Sequence, residues 1–411
     1  MTILTKLKNY FATGELWKRN LLILWFGSFM TGIGSSLISP FLSLYVDTLG
    51  DFTKKELSFQ SGLIFASTFI TMAIVSPLWG KLADQKGRKP MLLRASLGMA
   101  IMIFSMGFVT KAWQLLILRL LLGAFSGYTS NSVALMAIIT PKEHSGRVLG
   151  TLSTGTVAGT LLGPLFGGVV VAHAGYRMTF WITGIIMLFV FLLTVFFVKE
   201  HFTPKPKDKV LSAKALTQVI NHPKVIIAML LTTTILQLTD KSISPILSLY
   251  VRQLVHNPQL VTIYSGIVAS APGIVMLFFA PLFGRLGDKI GQYKILLFGL
   301  VLSFTIYLTL GFSHVIWQVI LLRLFIGVSD SALAPSVQII LSQNSPQEAT
   351  GRIFSYNQTM QSIGAIGGPL IGSTVSAYFD YRYVFFVSAL FIVLNILNYT
   401  TNFPQLKESR Y

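Results

Sequence analysis

Five ionisable residues stand inside runs that are otherwise apolar: Arg119, Asp240, Lys241, Arg323 and Asp330. Inserting each such group into a bilayer costs about 2.5 to 3.5 kcal/mol, so a chain that keeps them uses them. Their chemistry is that of charge and proton exchange. A buried carboxyl, raised toward neutrality by its surroundings, can give up a proton as a cation arrives. Asp240 lies five residues before Pro245, where it could cap a broken half-helix, neutralise Lys241, or carry such a proton. Asp330 follows Arg323 by seven residues, on nearly the same helix face but two turns deeper. Other chemistries have no residues to run them. There is no Cys, and the six His include no close pair such as HExxH. No GxxxxGK[ST] loop is present to cradle a nucleotide, so no cofactor or metal is expected.

These groups need elements that cross a membrane. The 411 residues are 53% hydrophobic and only 11% charged, about half the charged fraction of a soluble domain. Runs long enough to span occur at 20–46, 58–80, 91–110, 112–137, 147–172, 177–198, 224–251, 259–284, 293–312, 314–340, 352–379 and 383–402. The first is too long for a signal-peptide core, so no cleaved leader is expected. The predicted fold is an all-α integral membrane protein of twelve transmembrane helices in two six-helix bundles, 20–198 and 224–402. A cytoplasmic arm (1–19), a basic linker (199–223) and a tail (403–411) complete it. Within the linker, Leu211, Ala215, Leu216, Val219 and Ile220 recur at helical spacing, which fits either a short helix on the inner leaflet or a solvated linker.

The net charge of +18 first suggests nucleic acid or membrane. Its distribution excludes nucleic acid. With the N-terminus inside, cytoplasmic segments hold 23 of the 32 Lys and Arg and outer segments six, which places both termini in the cytoplasm.

The two halves repeat at an offset of 204 to 205 residues. SPFLSLYV (39–46) returns as SPILSLYV (244–251), SPLWGKLADQKG (76–87) as APLFGRLGDKIG (280–291), LRLLLG (118–123) as LRLFIG (322–327), and GPLFG (163–167) as GPLIG (368–372). Six spans per half is even, so the repeat is parallel, an arrangement suited to alternating access by rocking.

Two motifs stand out within the first half. The loop GKLADQKGRKP (80–90) has Gly80 for close helix approach, Gly87 for a turn, and Asp84 able to accept backbone amides at a helix N-terminus. Arg88 is expected to pair with Glu143. In span five, Gly155, Gly159, Gly163 and Gly167 recur every four residues, with Pro164 and Gly168 added. That spacing puts the glycines on one face for backbone-to-backbone packing, and Pro164 bends the span.

These motifs, and the repeat, resemble the major facilitator superfamily over residues 20–402, in particular its twelve-span drug:proton antiporters and the Gram-positive multidrug efflux permeases. The resemblance implies that Gly80, Asp84, Gly87 and Arg88 form a cytoplasmic conformational latch. It makes GTVAGTLLGPLFGG (155–168) an antiporter signature and gives Arg119 a part in proton coupling. Gln85 stands where the family often has a basic residue, and span one lacks an acid, which leaves Asp240 first and Asp330 second as proton carriers. Trp25, Phe29, Tyr128, Asn131, Gln237, Tyr356, Asn357 and Gln361 are the aromatic and amide side chains available for an adaptable substrate pocket.

The function expected is proton-coupled export of amphipathic small molecules by a monomer in the cell membrane, with protons, substrate and lipid as its only partners. The alternative is a nutrient or sugar transporter of the same fold. A membrane enzyme would need clustered nucleophile machinery, which the sequence lacks.

Overall fold

In the computed structural model the described residues are 16–200, 202, 223–346 and 350–408; the helical pattern at 211–220 lies outside them. Within them the chain is helical, in the order α1 (Leu16–Ile38), α2 (Leu42–Asp47), α3 (Lys54–Lys86), α4 (Lys89–Met106), α5 (Ala112–Phe125), α6 (Tyr128–Ile139), α7 (Ser145–Phe197), α8 (Pro223–Ile243), α9 (Leu247–Leu254), α10 (Pro258–Ile290), α11 (Gln292–Leu310), α12 (Ile316–Gln343), α13 (Thr350–Tyr378) and α14 (Arg382–Glu408).

Twelve crossings are made from fewer apolar helices. Ten stretches among the described residues are long and apolar enough to span. The 53-residue α7 is interrupted at Gly175, whose φ of +79° ends span five and starts span six. The 29-residue α13 is long enough but rich in Ser, Thr, Gln and Gly, and so falls outside those ten. The Ser-Pro pairs of the repeat break the helices in both halves. α1 passes into α2 through a 3-10 turn at Ser39–Phe41, and α8 gives way to α9 around Pro245, because proline lacks a donor and its ring crowds the preceding turn.

The chain groups into two compact units, one drawn from Met1–Ser39 and Thr71–Lys207, the other from Pro40–Ile70 and Asp208–Tyr411. In the first, α1 packs along α7, and α4 packs on α5 and α7. In the second, α8 packs along α13, while α10 and α11 pack on α12. Segment 40–70, from the first sequence repeat, thus belongs to the same unit as the second repeat.

Candidate functional site

Glycine sets the closest helix approaches in each unit. In the first, a Cβ on Gly155 would sit 2.7 Å from the Trp25 carbonyl, one on Gly159 would collide with the Phe29 carbonyl, and one on Gly163 would collide with the Ser36 hydroxyl. Gly167 and Gly168 are also buried on α7 around Pro164. The same seam recurs in the second unit, where Gly364, Gly368 and Gly372 of α13 face α8; Gly368 would meet the Leu238 carbonyl at 2.8 Å and Lys241 Cβ at 2.7 Å. The repeat in the sequence reveals only the GPLIG end of this second seam. It matters because it fixes where Lys241 stands.

Four charges gather in the second unit. Lys241 Nζ lies 2.8 Å from Asp240 Oδ2, and although both sit deep among protein atoms, 52% of the Asp240 side chain is reachable by solvent. Arg323, 7% exposed, donates from Nε to the Val268 carbonyl at 3.1 Å. The charges of Asp240, Arg323 and Lys241 all act on Asp330. Tyr307 of α11 joins the same electrostatic group and is almost fully buried. Tyr307 escapes notice in the sequence because it is the single tyrosine of an apolar run, FTIYLTL, and nothing local marks it. Arg119, half-buried in α5, belongs to the other unit.

The expected pocket residues separate by burial. Trp25 and Phe29 are half-buried and stacked, with ring centroids 5.6 Å apart and planes within 8°. Gln237, Gln361 and Asn131 are half-buried, and Tyr356 is exposed beside the Arg352 guanidinium. Tyr128 and Asn357 are different. Tyr128 is 1% exposed with its hydroxyl 3.1 Å from Thr194 Oγ1, and Asn357 accepts the Thr233 hydroxyl at 2.7 Å. These two tie helices together inside their units and present no surface to a ligand, because each polar tip has a partner in the core.

The latch loop departs from expectation in its bonds. Gly87 has φ of +91° and ends α3 as predicted. Arg88 turns back to Asp84, Nη2 to Oδ1 at 2.9 Å, rather than forward to Glu143. The first amides at α4 are held by Glu200, not by Asp84: Oε1 accepts Arg88 N at 2.8 Å and Oε2 accepts Lys89 N at 2.7 Å. A Cβ at position 87 would sit 2.7 Å from that carboxylate, which is a second reason for glycine there. Asn20 fixes the neighbouring Lys199 backbone through its Nδ2 at 2.6 Å and Oδ1 at 3.2 Å. Glu200→Gln is expected to cost about 1 kcal/mol, the worth of a charged N-terminal cap. The melting temperature of the detergent-solubilised protein should fall, and fall further for Glu200→Ala.

At the opposite ends of the helices, segment 40–70 is tied to α9 and to the α13–α14 turn. The Ser43 hydroxyl donates to the Pro245 carbonyl at 2.6 Å, and Arg252 pairs with Asp47. Asp380 collects Gln253 Nε2 at 3.1 Å, the Tyr381 amide at 2.7 Å, Lys54 at 3.8 Å and Arg382 at 3.4 Å. Lys54 also lies over the Tyr381 ring, and Lys55 over that of Tyr378. Burial pushes the Asp380 carboxyl up, but the bonds from Gln253, Tyr381 and Arg382 and the charge of Lys54 outweigh it and hold the group below the usual carboxylate range. A depressed carboxyl stabilises above its unfolded pKa and loses that contribution only as pH falls through the folded value. The tie therefore stays charged through neutral and mildly acidic pH.

Each of these partly exposed pairs is worth about 0.2 to 1 kcal/mol, so a few-fold effect is expected from breaking one. The cysteine-free chain makes this measurable. With Ser43→Cys as reporter, Asp47→Arg or Arg252→Asp alone should raise labelling by an impermeant maleimide a few-fold, and the two together should return it toward the starting rate. No recovery in the exchanged pair would mean that the ion pair does not hold this end.

Comparison with known proteins follows the same lines. The sequence pattern of the Major Facilitator Superfamily matches residues 24–265 and 229–409. The chain is 46% identical over 381 residues to the multidrug resistance protein MdtG of Salmonella heidelberg (strain SL476), covering 93% of this chain and 94% of that protein. MdtG of Salmonella paratyphi C (strain RKS4594) matches to the same extent. Among solved structures, a bacterial homolog to the human lysosomal transporter Spinster, inward-facing and occupied, superposes with a TM-score of 0.77 at 14% identity, covering 95% of this chain and 97% of that one. A D-xylose-proton symporter superposes with a TM-score of 0.74 at 17% identity, covering 93% and 97%. The two structural likenesses carry the fold, and the sequence matches carry the kinship: this chain belongs to the major facilitator superfamily.

Proposed function

We propose that the protein is a secondary transporter that exports amphipathic small molecules in exchange for protons. The observation that carries this reading is the group Asp240, Lys241, Arg323 and Asp330, two acids and two bases collected inside one unit with Asp240 open to solvent. Two acids and two bases balance while all are charged. Taking up one proton on a carboxylate leaves a net positive charge in a low-dielectric wall, which favours release of a cation and discourages its return. Asp240 and Asp330 are the carriers in this reading, and Arg119 modulates the coupling from the other unit. Its kinship with proteins named for multidrug resistance supports export, as does the Gly155–Gly168 signature.

Trp25, Phe29, Asn131, Gln237, Tyr356 and Gln361 are the proposed substrate contacts, since their side chains remain accessible. Gly80, Asp84, Gly87 and Arg88 are the proposed latch. A Cβ added at Gly80 would meet nothing within 4 Å in this structure. The protein works in this reading as a monomer, with bundles 20–198 and 224–402 and both termini on the basic, cytoplasmic side.

Inside-out vesicles test it. A proton gradient directed out of the lumen, acid inside, should drive accumulation of amphipathic dyes, ethidium among them, and should leave sugars unmoved. Gradient-driven movement of a sugar with no movement of any dye would instead establish the nutrient-transporter reading.

A further inference from the structure

Span four is not one helix. α5 ends at Phe125, Ser126 is extended with ψ of 164°, and Gly127 takes φ of +116° before α6 begins at Tyr128. Breaking a helix inside a membrane strands carbonyl groups that no water can satisfy. Here they are met from neighbouring helices. The Ala124 carbonyl accepts Trp79 Nε1 at 2.8 Å and Arg94 Nη1 at 2.9 Å, and the Ser126 carbonyl accepts Arg94 Nη2 at 3.1 Å. The guanidinium lies over the Trp79 ring, 4.0 Å from its centroid. A cation at the carbonyl end of a half-helix also complements its dipole. One turn along α4, Gly98 lets Phe125 press against the backbone, so α4 and the end of α5 are held at two successive points.

The internal repeat supplies a control. At the 204-residue offset, Trp79 corresponds to Phe283, Arg94 to Phe298, Ser126 to Asp330 and Gly127 to Ser331. There α12 runs unbroken from Ile316 to Gln343, and Phe283 and Phe298 simply pack, centroids 5.6 Å apart. An intact helix has no stranded carbonyls, and at that position an apolar ring suffices. Where the helix is broken, an arginine stands instead. The two halves have thus diverged at one structural position: span ten keeps a continuous helix and bears the carboxylate Asp330, while span four bears the break.

We propose that Arg94, with Trp79, is the positioning residue of an articulation at Ser126–Gly127. It grips the carbonyl end of the segment carrying Arg119, seven residues upstream, while α6 moves about Gly127. Trp79 stands five residues before Asp84 on α3, so the same clasp links the articulation to the helix that leads into the latch loop. The inference goes beyond the proposed export activity and rests on it only for the transport arm of the test.

The test uses the full chain, which has no cysteine of its own. Spin labels are placed at Leu121→Cys and Ile138→Cys, both exposed and on opposite sides of the break. In lipid nanodiscs the otherwise native protein should show two distance populations whose ratio changes between acid and alkaline pH. The double variant Arg94→Phe/Gly127→Ser copies the other half. It should show one distance, near the value of about 26 Å for a continuous helix. Its ethidium transport in vesicles should fall by about tenfold or more, with ethidium binding changed less than about twofold. Arg94→Lys keeps the charge but lacks the rigid fork that holds both carbonyls at once, and should give a broadened distance and a few-fold loss of rate; Trp79→Phe should weaken the clasp less. One unchanging distance in the native background overturns the articulation, as does a double variant transporting at the native rate. Should the double variant fail to insert, unchanged distances and rates in both Arg94→Lys and Trp79→Phe overturn it equally. Absence of ethidium movement in the native protein would count against the export reading alone, because the distances need no substrate.

Discussion

Asp330→Asn is expected to abolish gradient-driven export while leaving exchange of substrate across the membrane in place. The residue shares its surroundings with Asp240, Lys241, Arg323 and Tyr307, so its protonation changes the charge that all of them experience. Asparagine has nearly the same shape but cannot take up a proton. A carrier lost in this way stops the coupled cycle, and the expected fall in gradient-driven rate is about a hundredfold or more, some 2.7 kcal/mol in the coupled step. Asp240→Asn should behave differently. It removes the partner of Lys241 at 2.8 Å and leaves an ammonium without its counter-ion. The pair is partly exposed, so its loss should cost about 0.2 to 1 kcal/mol, and this variant should lose a little stability as well as coupling. Double replacement of Asp240→Asn with Lys241→Gln should recover the melting temperature and leave transport impaired, which separates the structural part of Asp240 from its part in coupling.

The second large effect is expected at Gly159. A side chain there meets the Phe29 carbonyl and the Gly32 backbone, which belong to α1 and cannot rotate away. Gly159→Val therefore has to push two helices apart along the seam. Overpacking of this kind costs about 1 to 3 kcal/mol, and more where backbone must move. Gly150→Ala is the control on the same helix, since nothing lies within 4 Å of its added Cβ. The expected result is loss of folded, transport-competent protein for Gly159→Val and native behaviour for Gly150→Ala, measured by size-exclusion profile and melting temperature in detergent.

How much of this is legible in the sequence depends on the range of the interaction involved. The twelve crossings follow from apolar run length, and the 204-residue repeat is a property of the chain alone, but the repeat does not announce that segment 40–70 groups with the second repeat. The charged group also announces itself, because a charge in an apolar run is conspicuous wherever it ends up. The glycine face of span five is readable as close packing. That a like seam occurs in the second unit shows the glycines themselves to be a packing device. What escapes a reading of the sequence is set by tertiary contacts. Glu200 reads as one more charge in a basic linker until the fold brings it to the start of α4. Arg94 reads as part of the positive cytoplasmic loop, yet it stands inside α4 gripping carbonyls of span four, and no local pattern marks a helix break that needs a guanidinium. Tyr128 and Asn357 look like ligand contacts by residue type, and only packing shows that their polar ends are already satisfied.

The most direct measurement of the central claim is proton movement itself. In proteoliposomes with a preset pH gradient and an internal pH-sensitive dye, adding ethidium on the side from which it is exported should collapse the gradient for the native protein. Asp330→Asn should move ethidium down its own gradient without moving protons. If ethidium crosses through the native protein and the pH gradient stays intact, or if Asp330→Asn dissipates it as the native protein does, the coupling assigned to this group of charges is contradicted.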